Sequence, residues 1–405
     1  MTVVPDDLYS DAFRADPHPI WRELRHEHPV FHDTVSGAFV VSRHADVDAG
    51  FRDHERLSNR SYLFTTGRVF GSTMLDLDGP DHVARRSVVA PEFVGKRLAA
   101  FLPVLERNIA ELIDGIAGRD EFDLVDAFTT RLPINVILDM LAFDKRDHEQ
   151  FHRWYSTMMS GLGRTNHLRA EGQAAHAEVC AFVEPLLTER RGCPGTDLLT
   201  RIAFAEADGN RLSDDEVKSF VSLMLVAGGE TTDKAIANLW WNLLRTPDAL
   251  DAVLADPDQL DAAFSESMRK DGPVQWEDRI ATESFTWHGV DIPEGSWVRL
   301  GVASANNDET VFGPDPRAFR MDRSELHLGK EVRVGGLVEG RNSHLGFGVA
   351  KHFCLGYELA RAEAVLGTRR LLEAVGRPSF AGEEPALLWM GGFRSLPSLH
   401  VRRAV

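Results

Sequence analysis

Three cysteines in 405 residues, Cys180, Cys193 and Cys354, are too few and too scattered for a disulfide framework, which fits a reducing cytosol. No run of about 18 apolar residues occurs, and the opening segment MTVVPDDLYSDAFRADP is polar and acidic. Neither a membrane anchor nor a signal peptide is therefore expected, and a cytoplasmic location is. Positive charge is in deficit. Lys and Arg number 45 against 62 Asp and Glu, a net charge of −17 that argues against nucleic acid as a partner. Internal repeats and low-complexity tracts are also missing. What remains is ordinary for a globular chain, 43% apolar and 26% charged, long enough for one large domain or two or three average ones.

The stretch around which the chain is organised is residues 345–356, LGFGVAKHFCLG. Cys354 follows a glycine-bearing apolar loop and precedes a breaker-free helical pattern from Tyr357 to Leu366. Near a helix N-terminus, exposed N–H groups and the helix dipole favour a thiolate. Gly348 and Gly356 allow backbone to approach something flat and bulky. A lone thiolate is a poor structural zinc site, since zinc takes about four ligands. It suits a metal needing one strong axial donor, of which haem iron is the obvious case. A buried cysteine at a helix start is the plain alternative.

Upstream, the pattern predicts a helix over 19–28, strands near 30–31 and 38–42, and a helix over 45–51. Residues 58–73 lack periodicity and read as a functional loop. Asp78 or Asp81 caps a helix that places His82 and Arg86 on one face, by default a solvated one. Helices follow over 98–117, 127–141, 145–160 and 171–190, with Met158, Met159 and Leu162 either core or pocket lining. Ser213 and Glu216 form a capping box opening a helix to about Arg245, close to 50 Å long. Its middle, LVAGGETT, holds two glycines and two threonines and should distort. A carboxylate beside a hydroxyl in an apolar helix invites proton transfer; a locally satisfied buried glutamate is the other reading. A helix over 258–270 carries Glu266 and Arg269 on one face. Residues 280–302 read as hairpin strands, and 389–395 with 398–401 as a strand pair with a turn tip.

Together these motifs resemble the cytochrome P450 family, over about residues 17–401. Phe347, Gly348, His352, Cys354 and Gly356 match its haem-ligand signature, with Ala350 where the family usually has glycine, a methyl that disfavours positive φ. Ala227, Gly228, Glu230 and Thr231 match its acid–alcohol pattern, Glu266 and Arg269 its Glu-x-x-Arg pair, and Arg279, His82 and Arg86 its propionate contacts. The resemblance implies a mainly α fold with a smaller β-rich region, one catalytic domain over 1–405, and haem b between the long central helix and the helix after Cys354. Cys354 would ligate iron. Glu230 would relay protons, and Thr231 would hold dioxygen and a water so that the O–O bond breaks heterolytically. The Glu266–Arg269 pair would be completed by a third basic group from an Asp-Pro-x-Arg-Phe loop. Here that loop reads DPRAF, with Ala318 in the arginine position, so Arg317 or Arg320 is the expected substitute. Gly272-Pro273 stands for a double proline, and Asn307 for the arginine of Ala-Asn-Arg-Asp.

The implied activity is monooxygenation: one oxygen atom from O2 enters a C–H or C=C bond, or a heteroatom loses an alkyl group. No flavin or iron–sulfur segment is present, so electrons would come from a separate ferredoxin or flavodoxin, docking near Lys351, Arg85 and Arg97. Leu63, Phe64, Phe70, Val226, Val274, Gln275, Trp276 and Phe393 are the candidate pocket residues, which suggests an apolar or aromatic small molecule, free or carrier-bound. Gln275 and Arg394 are candidates for binding a polar group on it. Two alternatives are a peroxide-driven peroxygenase, against which intact Glu230 and Thr231 argue, and a haem-binding protein without turnover.

Overall fold

The Ser213 hydroxyl accepts from Glu216 N while the Glu216 carboxylate accepts from Ser213 N, so the capping box forms as expected. The helix it starts is α-helical over Asp214–Met224, widens to a π-turn over Leu225–Glu230 and returns to α over Thr231–Arg245. The distortion has a steric setting. A Cβ on Gly228 would lie 2.9 Å from Ile137 Cδ1, and one on Gly229 would lie 3.5 Å from the Tyr155 ring. The helix thus threads between Arg131–Leu141 and His148–Gly161, where a methyl at Gly228 would require Ile137 to shift and one at Gly229 would just touch Tyr155. Its last section is buried nearly all round, as a helix at the centre of a large core must be.

The computed structural model describes residues 3–163, 166–207, 209–324, 326, 343–390 and 392–404. Helices dominate: Gly95–Ile116, Asn166–Gly192, Leu260–Asp271 and Tyr357–Val375 share one large apolar core with the central helix. Trp240 Nε1 donates to Thr368 Oγ1 at 3.1 Å and pins the central helix to Tyr357–Val375. A mixed five-stranded sheet flanks this core in the order Val30–Asp33, Ala38–Val41, Trp297–Leu300, Glu277–Ala281, Leu57–Ser58. Only Ala38–Val41 and Trp297–Leu300 pair parallel within it. The architecture is mainly helical with small sheets, as the sequence implied.

Several local expectations are corrected. Residues 58–73 are not irregular: they hold a 3₁₀ helix, Asn59–Phe64, and a short helix, Thr66–Phe70, held by Ser58 Oγ on Arg60 N and Thr66 Oγ1 on the Tyr62 carbonyl. The helix read as 171–190 spans Asn166–Gly192. In the C-terminal region Leu388–Met390 pairs with Phe393–Ser395, whereas His400–Arg402 joins Ser379–Phe380 and Glu121–Asp123 in another sheet. Gly391, within the stretch expected as the turn tip, lies outside the described residues.

Candidate active site

The cysteine loop is tied at both ends. Leu345 N donates to Asn306 Oδ1 at 2.7 Å, and Cys354 N donates to the Phe347 carbonyl at 2.9 Å. Gly348 has φ +65° and Ala350 φ +59°, so the methyl sits where left-handed backbone strains it, at a cost of about 1 kcal/mol. Cys354 lies deep in the fold yet is only half-buried, which describes a slot beside it. Burial pushes its thiol up, opposed by the Gly356 and Tyr357 amides and by Arg86. With no iron at the sulfur, desolvation works against the thiolate that the helix N-terminus favours.

The central helix presents the same kind of void. Ala227 is exposed although Val226 beside it is buried, and Thr231, one turn on, is half-exposed. Thr231 Oγ1 donates to the Ala227 carbonyl at 2.7 Å, beside the π-turn. Glu230 is ion-paired with Lys234, four residues on, both well shielded. The i,i+4 spacing could have flagged Lys234 in the sequence. Behind them Asp233 accepts from Thr129 and Thr130 hydroxyls at 2.6 and 3.2 Å, and burial raises its carboxyl.

A basic rim gathers nearby. The His82 and His352 rings lie 3.9 Å apart. His82 Nδ1 is buried with no hydrogen-bond partner among the described residues, and burial with the His352 and Arg86 charges lowers its pKa to about 4. Arg86 Nη2 donates to the Phe353 carbonyl at 2.6 Å, which ties this helix to the loop. Arg279 is 4% exposed, and its Nη1 donates to the Asp278 carbonyl at 2.8 Å. Burial works against ionisation of Asp78, but hydrogen bonds from His352, Ser58 and Asn59 hold it at about 2. Four basic side chains thus converge where a dianionic ligand would be bound by charge-assisted hydrogen bonds, and the orphaned His82 nitrogen awaits an acceptor. The slot, the lone cysteine and this rim fit haem b with its two propionates. Sequence reasoning missed Glu277, which accepts from Tyr62 Oη and whose carboxyl burial raises. Its period-2 spacing from Arg279 puts both on one strand face.

Glu266 and Arg269 are fully buried and doubly bonded at 2.7 and 2.8 Å. Their third basic partner is Arg323, whose Nε reaches Glu266 at 2.9 Å. Arg317 turns instead to Asp271, and the Arg320 side chain to exposed Asp322, leaving only the Arg320 amide on Glu266. The pocket candidates divide. Val274 and Phe393 meet across a β-bridge, both half-buried, while Leu63 and Phe64 are exposed on the 3₁₀ helix. Phe70 and Val226 belong to the helical core. Gln275 turns its amide back onto the Gly272 and Pro273 carbonyls, and Trp276 packs 4.8 Å from Trp389, away from the slot, because alternation sends it opposite to Glu277 and Arg279. Of the basic docking residues, Lys351 is exposed, but Arg85 and Arg97 are paired with Glu216 and Glu92.

A cysteine beside a slot, an acid–alcohol pair on a distorted central helix and a basic rim suited to two carboxylates make up the equipment of a haem–thiolate enzyme. The sequence model described as cytochrome P450 matches residues 151–374. The chain is 33% identical to cytochrome P450 107B1 of Saccharopolyspora erythraea, over 97% of this chain and 98% of that one. It is 32% identical to the steroid C26-monooxygenase of Mycolicibacterium smegmatis, over 98% and 96%. The ligand-free structure of cytochrome P450 TbtJ1 superposes with a TM-score of 0.85 at 30% identity, covering 97% and 98% of the two chains. The chain belongs to the cytochrome P450 family. It is a haem–thiolate monooxygenase with haem b as its cofactor, and it works on a small molecule with electrons from a redox partner. No helix among the described residues is long and apolar enough to cross a membrane.

Proposed function

We propose that Cys354 would ligate the iron of haem b and that His82, Arg86, Arg279 and His352 would hold its propionates, with Phe347, Gly348, Gly356 and Ala227 lining the slot that would receive it. The half-buried Cys354 carries this reading: Cys180 lies 3.3 Å from His176 Nε2, and Cys193 is exposed. Haem b, when bound, supplies the oxidation, activating dioxygen and delivering one oxygen atom to the substrate. The Gly356 and Tyr357 amides stabilise negative charge on the Cys354 sulfur. Thr231 orients a hydrogen bond in the slot, and Glu230, released from Lys234, passes protons towards it. Glu266 and Arg269 keep the loop in place through Asn306, whose carbonyl accepts from Arg269 and whose Oδ1 accepts from Leu345 N.

The substrate in this reading is apolar, placed against Val274 and Phe393 with Leu63 and Phe64 at the mouth. The donor is a ferredoxin or flavodoxin that meets Lys351, and the protein works in the cytoplasm. Residues 1–405 act as one catalytic unit, supported by Phe13 packing 5.4 Å from Trp389 and by strand Ala38–Val41 pairing with Trp297–Leu300. The test is the spectrum of the reduced protein under carbon monoxide. A strongly red-shifted Soret band, lost in Cys354→Ser, is expected; a band like that of a histidine-ligated haem would overturn the assignment. Turnover with a reduced ferredoxin and none with hydrogen peroxide separates a monooxygenase from a peroxygenase.

A further inference from the structure

The end of helix Leu260–Asp271, the start of helix His18–Glu27 and the strand Phe393–Ser395 enclose a polar cavity of about 10 Å³. That is the room of one water or one monatomic ion. His18, Lys270, Asp271, Gln275, Asn306 and Arg394 are among its walls. Two of its nitrogens are idle: Arg394 Nε and His18 Nδ1 are buried without hydrogen-bond partners among the described residues. The rest are engaged. Arg394 Nη2 donates to the Ala15 carbonyl at 2.8 Å, Gln275 Nε2 to the Gly272 carbonyl at 2.9 Å, and Lys270 Nζ to Asn242 at 2.9 Å and Asp271 at 2.6 Å.

The charges do not balance. Lys270 and Arg394 are 7 and 11% exposed, and part-exposed Arg317 joins them. Among the described residues these three cations share one fully buried carboxylate, Asp271, which serves Lys270 and Arg317, with Arg394 Nη1 3.9 Å away. From outside this set, the charge of Asp16 also reaches Arg394. The surplus lies inside a chain whose net charge is −17. Buried charge without a counterion is costly, and more so where the dielectric is low. A water would satisfy the two idle nitrogens but not the surplus.

We propose that the cavity is a binding site for one small monovalent anion, chloride, held by Arg394 Nε and His18 Nδ1. Burial and the neighbouring Arg317 charge keep the His18 ring neutral, so it offers a single N–H. The site joins three stretches distant in the chain: the N-terminal helix, the Gly272–Gln275 turn and the hairpin that carries Phe393. An occupying anion fastens that hairpin without touching the haem slot. This inference does not depend on the assignment of Cys354.

Bromide, which scatters anomalously, is the probe. Crystals of the unaltered holoenzyme grown in bromide are expected to show an anomalous peak in hydrogen-bond reach of Arg394 Nε and His18 Nδ1. In solution, replacing gluconate by chloride at constant ionic strength is expected to raise the unfolding midpoint by about 3 °C over a hundredfold excess above the dissociation constant. Bromide should reproduce the rise, and Arg394→Met should abolish it. A cavity with no anomalous peak, or equal midpoints in chloride and gluconate, would overturn the proposal. The bromide experiment uses the unaltered chain, so a variant that fails to fold does not decide the matter.

Discussion

Replacing Arg323 by methionine removes the third member of the buried Glu266 cluster while keeping most of its volume. The Glu266 carboxylate accepts from Arg269 Nε and Nη2 at 2.7 and 2.8 Å, from Arg320 N at 2.9 Å and from Arg323 Nε at 2.9 Å. Arg323 also donates to the carbonyls of Phe312, Asp315 and Ala318 at 2.7, 3.1 and 2.8 Å. Removing one partner of a buried ion pair costs about 3–5 kcal/mol, and here buried carbonyls lose their donor as well. The expected loss is therefore about 4 kcal/mol by urea unfolding at unchanged m-value. Arg370→Met is the control: that side chain meets Glu373 with both 51% exposed, so its loss should leave the urea midpoint almost unchanged. Arg269 and Asn306 link the cluster to Leu345, so haem content per chain should fall in Arg323→Met alone. A loss under about 1 kcal/mol for Arg323→Met, or an equal loss for Arg370→Met, would refute the assignment.

Ala350→Gly relieves a left-handed alanine, and a gain of about 0.5–1 kcal/mol in the same urea assay is expected; a loss would show that the strain is not real. His344 is held at about 4 by burial and by Arg269, against an ordinary 6.5. Its Nδ1 accepts from Gly346 N at 3.3 Å, which requires a neutral ring. The unfolded chain takes up the proton first, so this stability is full above pH 6.5 and is lost as pH falls towards 4. About 2 kcal/mol should be gone by pH 5, and His344→Gln should flatten that slope. Thr231→Ala removes a hydroxyl that bonds the Ala227 carbonyl and faces the slot. The ratio of product formed to reductant consumed should fall several-fold while Thr231→Ser retains it; an unchanged ratio would remove Thr231 from the proton path. Arg279→Met, at the buried end of the rim, should weaken haem retention about tenfold or more, the loss of one charge-assisted bond.

Where chemistry is local, the sequence was legible. The capping box at Ser213 and the distortion over residues 225–230 each follow from neighbours within a turn, and each is present; at Ala350, where the family resemblance expects glycine, the backbone is left-handed. The cysteine loop, the acid–alcohol pair and the Glu-x-x-Arg pair were legible through the family resemblance, which matches residue types at fixed spacing along the chain. Residues whose partners arrive from elsewhere could not be read. Arg323 displaces Arg317 and Arg320 beside Glu266 because the chain after Pro316 brings it there, not because its surroundings in the sequence differ. Trp276 turns away from the slot because sheet pairing fixes the face on which Glu277 and Arg279 lie and Trp389 is waiting on the other side, whereas Gln275, before the strand begins, is drawn off by the Gly272 carbonyl. The free Cys354 thiol is the sharpest case. A helix N-terminus written into the sequence favours the thiolate, yet burial supplied by the whole fold pushes the thiol up, because desolvation depends on everything packed around a group.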